Sequence, residues 1–499
     1  MTDNYIFLTG ATLLLFSIAY HLVLPWLSPL SRVPGPILAR YSRAWKSYKL
    51  LKGDFEKLNI ELHKKYGRVV RIAPNEYSIN DSTAIKLLYG HGTKFLKTSW
   101  YFASGGVDPK KASLFGATNP VYHANERRKF AAVYSMTTLL TQEQYVDNCT
   151  RLLMDVFSDI AEKGSQIDWA FWMQLYALDV IGEITLGKRF GNIEAGKDVG
   201  NIITALDRYF RYMSFVGDYS QWHPWLTAMQ HKFLPEHQRL SLKYITDFTA
   251  NQVLLRQSET EDTGKGDVLS RLIQVHKDDP KKISEHDIFQ ACLGNIGAGS
   301  DTTSITLGAI FYYLLTNPEA MDTLQNEIQL KNQEGGLSFP VTFAEAQQLP
   351  YLQAVLKEAM RLHPAVGLIL PRQVPAEGAV IAGVAFPAGA TVGVNPWVAH
   401  YNEEVFGHDA DKFRPERWLS DRETVQELER NLLTFGQGSR TCIGKNISLM
   451  EISKLVPTFL SRFEIELVNS SGKWQTWNAW FVKQYDLEVR VHKKKQISS

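Results

Sequence analysis

Cysteine is scarce in this chain. Cys149, Cys292 and Cys442 are the only three in 499 residues, and none lies in a C-x-x-C spacing. That excludes a disulfide framework and a cysteine-rich zinc site, while leaving open what a single thiol could do. An excess of one charge is also missing. Lys and Arg number 54 against 52 Asp and Glu, a net charge of +2. A nucleic-acid partner, which calls for a basic surplus, is therefore not expected. There is no internal repeat, and no Pro/Gly/Ser-rich linker divides residues 33–499, so that stretch reads as one large domain. No flavin or nicotinamide fingerprint is found. Gly297-Ala298-Gly299 begins like one, but the third glycine is absent and no strand precedes it. What is abundant is core material: 44% hydrophobic and 12% aromatic residues exclude a disordered chain.

Charge is wholly absent from the 28 residues between Asp3 and Arg32. Their apolar heart, residues 6–27, would span about 33 Å as a helix, enough for a hydrocarbon core of about 30 Å. A cleaved signal peptide is the competing reading, but no basic segment precedes the run and it is long for that purpose. The first cation is Arg32, followed by Arg40, Arg43, Lys46, Lys49 and Lys52. This asymmetry predicts that residues 1–32 are a single-pass anchor with the remainder on the cytoplasmic side. Pro34-Gly35-Pro36 reads as a stiff break between anchor and globule.

Beyond the break, residues 68–73 and 76–80 read as a hairpin split by Pro74-Asn75. Residues 142–163, 167–188 and 284–361 carry helical spacing, 378–395 and 474–492 short strands, and 257–267 a polar loop. Ser284 and Asp287 resemble a capping box opening a helix of about 32 residues that stops before Asn317-Pro318.

Three constellations carry chemistry. In Phe435-Gly436-Gln437-Gly438-Ser439-Arg440-Thr441-Cys442-Ile443-Gly444, glycines permit close backbone approach, and Cys442 precedes a helical segment whose amides favour a thiolate. Arg440 supplies a cation for a carboxylate. Taken alone, Cys442 is a ligand, a nucleophile or a buried structural cysteine. Ala298-Gly299-Ser300-Asp301-Thr302-Thr303 places an acid and a hydroxyl mid-helix, with Gly294, Gly297 and Gly299 nearby. Either something flat or bulky approaches this face, or it is a packing face with back-bonded threonines. Glu358 and Arg361 share one helix face, and alone would be a surface pair of little value.

Together these segments resemble the cytochrome P-450 superfamily. The 435–444 stretch matches its haem loop F-x-x-G-x-R-x-C-x-G at every fixed position, Glu358–Arg361 matches its E-x-x-R, and Pro415-Glu416-Arg417 its P-E-R motif. The resemblance spans the chain from anchor to last strand. Tyr134-Ser135-Met136 and Val394-Asn395-Pro396-Trp397 are similar to filamentous-fungal, pisatin demethylase-like members, which often act in secondary metabolism. It implies a mainly α fold with small β-sheets, in one large domain behind the N-terminal transmembrane helix. It implies haem b, with Cys442 as the thiolate ligand of the iron and Phe435, Gly438 and Gly444 shaping the sulfur's surroundings. Arg440 would pair with a propionate, as would Arg372. His123 and Arg127 have the W-x-x-x-R propionate spacing, with His in place of Trp. Asp301 and Thr302 would serve oxygen activation and proton relay. Glu358, Arg361 and Arg417 would form a structural network supporting the loop, with Trp418 following where Phe is commoner.

The resemblance further implies a membrane-bound NADPH-dependent reductase as electron donor, with cytochrome b5 as a second, and an endoplasmic reticulum location. The pocket wall is expected from Val366, Leu368, Ile369, Leu370, Leu293, Ala298 and the 100–118 loop, whose apolar character predicts a lipophilic substrate. Aromatic residues at 209–225 read as an access lid or as ordinary core; Trp474, Trp477, Trp480 and Phe481 are further pocket candidates. The expected reaction is hydroxylation or another oxidation. The alternatives are oxidative coupling, desaturation or rearrangement without oxygen insertion, and a non-catalytic haem protein.

Overall fold

The computed structural model describes residue 23 and residues 26–105, 112–235, 243–258, 266–468 and 474–494. The expected anchor at 6–27 lies largely outside these residues. Among the described residues no helix is long and apolar enough to cross a membrane.

The helices that position the site are α1 (Ala44–Leu51), α2 (Phe55–Tyr66), α3 (Pro120–Phe130), α4 (Glu143–Lys163), α5 (Trp169–Leu186), α6 (Ile202–Val216), α7 (Glu285–Thr316), α8 (Pro350–Leu362) and α9 (Lys445–Arg462). The strands are β1 (Val69–Ala73), β2 (Glu76–Ile79), β3 (Leu96–Lys97), β4 (Gln166–Asp168), β5 (Arg372–Gln373), β6 (Ala379–Ile381), β7 (Val384–Phe386), β8 (Thr391–Gly393), β9 (Phe463–Leu467), β10 (Gln475–Ala479), β11 (Phe481–Tyr485) and β12 (Glu488–Lys493). The fold is mainly helical with small sheets.

Helix α7 organises the interior. The Ser284 hydroxyl accepts from the Asp287 N–H, and the Asp287 carboxylate accepts from the Ser284 N–H, so the capping box read from the sequence is complete. Such a cap is worth about 1 kcal/mol and fixes where the helix starts. Helix α5 is apolar on nearly every face, as a helix must be to lie inside a large core. It runs along α7 in the most extensive helix pairing of the molecule. At their crossing a Cβ on Gly299 would sit 2.8 Å from Ile181 Cγ1, whereas a Cβ on Gly294 or Gly297 would meet nothing within 4 Å. The three glycines thus serve two purposes: Gly299 admits a neighbouring helix, and the other two border unfilled space.

The sheets hold the periphery. The expected hairpin is β1–β2, with Val69 opposite Ile79. Strand β2 pairs in parallel with β8, giving the five-stranded order β1-β2-β8-β5-β3. Strands β3 and β5 have two residues each, too short to leave an alternating pattern in sequence. At the other end β12 lies between β4 and β9.

Because the α5–α7 contact is already tight, Gly299→Ala is expected to lower stability by about 1–2 kcal/mol despite alanine's better helix propensity. Urea denaturation measures it; an unchanged midpoint would mean that Ile181 yields freely.

Candidate active site

The 435–444 loop is shaped by its backbone. The Cys442 N–H donates to the Phe435 carbonyl at 2.8 Å, and the Thr441 N–H to the Gly438 carbonyl at 3.1 Å. Gly438 has φ of +63°, and a Cβ there would collide with the Tyr89 carbonyl, so glycine is required on two counts. Gly444 caps α9. The amides of Gly444 and Lys445 approach the Cys442 sulfur. Cys442 is exposed although protein surrounds it on most sides, so its side chain faces unfilled space. Burial pushes its thiol up from the ordinary cysteine value, and the amides, Arg127 and Lys445 only partly offset this. The helix amino terminus favours a thiolate, but desolvation outweighs it here, and a cation at the sulfur would favour deprotonation.

Beside the loop lies a cluster of cations. Arg440 donates to the Ala117 carbonyl at 2.7 Å, Arg127 to the Thr441 carbonyl at 2.7 Å, and Arg372 to the Tyr101 hydroxyl at 3.2 Å. Lys97, unforeseen in sequence, donates to the Phe115 carbonyl at 2.7 Å and lies 4.1 Å above the Tyr101 ring. Among the described residues no carboxylate forms an ion pair with any of these four. Burial, Arg372 and Arg440 push the Lys97 ammonium well below the usual lysine range. Burial and Arg372 lower Arg440 to about 10. His123 is buried, and desolvation, Arg440, Lys97 and Arg127 lower its imidazole to about 3, so it is neutral. A group of like charges without counter-ions is a site for anionic ligands.

On the α7 side, Gly294 and Ala298 are exposed and Thr302 half-buried along one helix face. The Thr302 hydroxyl donates to the Ala298 carbonyl at 3.0 Å. Asp301 is fully buried on another face. Its Oδ1 accepts from Gln174 at 2.5 Å and pairs with Lys483 at 3.1 Å, while Oδ2 is buried without a partner. Burial pushes its carboxyl above the usual carboxylate range, and Lys483 opposes the rise.

The Glu358 carboxylate lies at the centre of a buried network. Arg361 donates to it twice, at 2.8 and 2.7 Å, and Arg417 lies 3.4 Å away. The Trp418 indole donates to it at 2.9 Å, so tryptophan at this position adds a bond that phenylalanine could not make. Arg361 also donates to the carbonyls of His400 and Ala410. His400, absent from the sequence reading, carries the order onward: Nδ1 donates to the Arg361 carbonyl at 2.9 Å and Nε2 accepts from the Leu433 N–H at 2.8 Å.

The expected wall assembles in part. Leu368 and Ile369 are buried in one cluster with Trp100, Tyr101, Trp480 and Phe481. Trp474 does not join them; it stacks on Tyr312 at 3.8 Å, toward the far end of α7. Trp477 packs instead with Arg211.

These residues fit haem. A thiol at a void, four unpaired cations and an open helix face match a flat, thiolate-ligated group bearing two carboxylates. A family model described as cytochrome P450 matches residues 34–487. The chain belongs to the cytochrome P450 family. A pisatin demethylase of Fusarium vanettenii is 36% identical over 479 residues, 95% of this chain and 90% of that protein. A second from the same organism is 37% identical over 480 residues, 95% of this chain and 92% of that protein. A cytochrome P450 monooxygenase of Emericella nidulans is 35% identical over 476 residues, 94% of this chain and 95% of that protein. A crystallised cytochrome P450 shares the fold at TM-score 0.72 and 20% identity, over 89% of this chain and 96% of that one. This P450 is accordingly an enzyme of a monooxygenase family, and the family implies a haem iron cofactor.

Glu358→Gln leaves the buried Arg361 guanidinium without its carboxylate, while Arg417 keeps Asp409 at 3.1 Å. It is expected to cost about 3–5 kcal/mol and to reduce the fraction of purified protein that retains haem. Wild-type stability and loading in the variant would show that the network does not support the loop.

Proposed function

We propose that this P450 is a haem-thiolate monooxygenase that oxidises a lipophilic small molecule, in fungal secondary metabolism, with electrons from NADPH through a separate reductase and cytochrome b5 as a second donor. The observation that carries it is the Cys442 thiol facing an interior void beside four cations that lack carboxylate partners. Cys442 is the iron ligand. Arg440, Arg372, Arg127 and Lys97 hold the propionates, joined by His123 as a neutral N–H donor. Phe435, Gly438 and Gly444 shape the space around the sulfur. Haem supplies dioxygen activation at its iron, and a thiolate ligand favours O–O cleavage.

The chain's own residues manage proton and substrate. Thr302 holds its hydroxyl on the open face of α7, tethered to the Ala298 carbonyl, and exchanges that proton at Oγ1. Asp301 is the acid that replenishes it, protonated at the unpartnered Oδ2. Buried Leu368, Ile369, Trp100 and Phe481 favour apolar and aromatic ligands and exclude water. Glu358, Arg361 and Arg417 take no chemical step. The charge-free stretch before Arg32 supports a single-pass anchor, with the catalytic domain on the cytoplasmic face of the endoplasmic reticulum. The names of two relatives, as demethylases, support an oxidation that ends in loss of a methyl group.

Cys442→Ala is expected to abolish the red-shifted absorbance of the reduced carbon monoxide complex; a surviving band would remove Cys442 as ligand. Thr302→Ala should keep consuming NADPH with the reductase while product per NADPH falls about tenfold or more. Unchanged coupling would contradict its role. With labelled dioxygen, label in the product of a host-derived substrate, or in the one-carbon fragment a demethylation releases, supports oxygen insertion; no label in either with intact turnover favours coupling or desaturation.

A further inference from the structure

One carbonyl of the apolar wall is held from behind. The Gly367 carbonyl accepts from the side-chain amides of Asn395 and Asn478, each at 3.0 Å, which fills both lone pairs of its oxygen. A Cβ on Gly367 would collide with Asn478 Nδ2 and Val482 Cγ2, so glycine is what lets the amide come this close. The Gly367 N–H donates to the Trp480 carbonyl at 2.9 Å, and Val366 bridges to Phe481. The next two residues, Leu368 and Ile369, lie in the buried cluster with Trp100, Trp480 and Phe481. Asn478 on β10 therefore ties together two halves of the wall, the 366–370 segment and the turn that carries Trp480 and Phe481. That turn needs holding, because Trp480 has φ of +77°, a backbone conformation that is costly for a side chain of its size.

The two amides are themselves aimed. Asn478 Nδ2 also donates to Glu56 Oε2 at 2.7 Å, and the Asn478 backbone N–H donates to the Gly53 carbonyl at 2.8 Å, between α1 and α2. Asn395 Nδ2 also donates to Asn59 Oδ1 at 3.3 Å, which accepts from the Ser78 hydroxyl at 3.1 Å as well. Glu56 and Asn59 lie one turn apart on the buried face of α2, so one helix directs both donors. Glu56 is fully buried and, among the described residues, forms no ion pair. Burial pushes its carboxyl up to about 7, and the bond from Asn478 opposes the rise. Its other oxygen, Oε1, has no partner, so a proton there leaves Oε2 an acceptor for Asn478 in either state. An acid kept out of water at such a cost, and used in no chemical step, has its reason in the amide that it orients.

We propose that Glu56 and Asn478 are positioning residues for substrate recognition: from behind the wall they fix the Gly367 carbonyl, and with it the places of Leu368, Ile369, Trp480 and Phe481 against an apolar ligand. This rests on the monooxygenase reading for what the wall contacts, and adds to it two residues that touch no ligand themselves. Asn478 has no substitute in this role. Its amide has two N–H bonds, one spent on Glu56 and one on Gly367, and losing it leaves a buried carboxyl and half a buried carbonyl unsatisfied. Asn395 still holds the other lone pair, so the segment shifts rather than unfolds.

The test uses full-length, haem-loaded protein with the Asn478→Leu, Glu56→Leu and Glu56→Gln substitutions, and imidazole and 4-phenylimidazole as probes. Both azoles coordinate haem iron through a ring nitrogen and shift its absorbance, which gives a Kd for each. Imidazole reports the iron and access to it, and the affinity added by the phenyl ring reports the wall. Asn478→Leu fills similar space without an N–H, and is expected to cut that added affinity about tenfold while the imidazole Kd stays within about twofold. Glu56→Leu should cut it about threefold, and Glu56→Gln, which keeps an acceptor for Asn478, should stay within about twofold of wild type. Hydrogen exchange at the Gly367 N–H should quicken about tenfold in Asn478→Leu. A purely structural role would lower the melting temperature and either leave both azoles unmoved or weaken them equally, and either result would overturn the proposal. So would a wild type to which the phenyl ring adds no affinity. Should Asn478→Leu fail to fold, Glu56→Leu against Glu56→Gln carries the same comparison. No azole shift in the wild type would instead refute the haem reading, with exchange at Gly367 still reporting the hold on the wall.

Discussion

A carboxylate without solvent must be compensated, and Glu358 is compensated by groups that come from distant parts of the chain. Arg361 lies one turn along α8, while Arg417 and Trp418 come from the segment that precedes the haem loop. The two arginines match its charge and the indole N–H satisfies a further lone pair, so removing the glutamate is costlier than removing any one partner. The interaction approaches the loop through His400, whose ring joins the Arg361 carbonyl to the Leu433 amide, and the Gly436 N–H donates to the Leu433 carbonyl at 2.9 Å. The neutral state of His400 follows from complete burial, which lowers the imidazole to about 3. The residues just before the loop that carries Cys442 are thus tied to the helix that carries Glu358.

The opposite requirement governs the space in front of Cys442. There, among the described residues, Arg127, Arg372, Arg440 and Lys97 have no carboxylate partner, and burial pushes the Cys442 thiol up. The clustered basic groups repel one another and would be relieved by a group carrying carboxylates, and a metal cation would let the thiol ionise. Stability is spent in the Glu358 network to hold open a site that is unstable without its ligand. Helix α7 shows the same division along its length, with Gly299 closed against Ile181 and Gly294 facing space.

Much of this was legible in the sequence, for definite reasons. The capping box of α7, the hairpin β1–β2 and the E-x-x-R pair are local patterns whose spacing carries their geometry. The 435–444 loop was legible because its glycines are needed for positive φ and close approach. What escaped depends on long-range contact. Lys97 lies in a two-residue strand and joins Arg372 only through the β3–β5 pairing. His400 and Lys483 sit in segments with no distinctive neighbours, and only the tertiary fold brings them to Arg361 and Asp301. Trp474 misled because an aromatic near the chain end packs as readily on Tyr312 as in a pocket. Trp418 was undervalued, since sequence shows an aromatic ring but not the carboxylate its N–H meets.

Sulfur ligation by Cys442, in a site made of this chain's residues, underlies every other role assigned here. Iron K-edge X-ray absorption of the resting, haem-loaded protein tests it most directly. A sulfur scatterer in the iron's first coordination sphere is the result the structure predicts. A coordination sphere of nitrogen and oxygen alone, in protein that is folded and fully loaded, would contradict it.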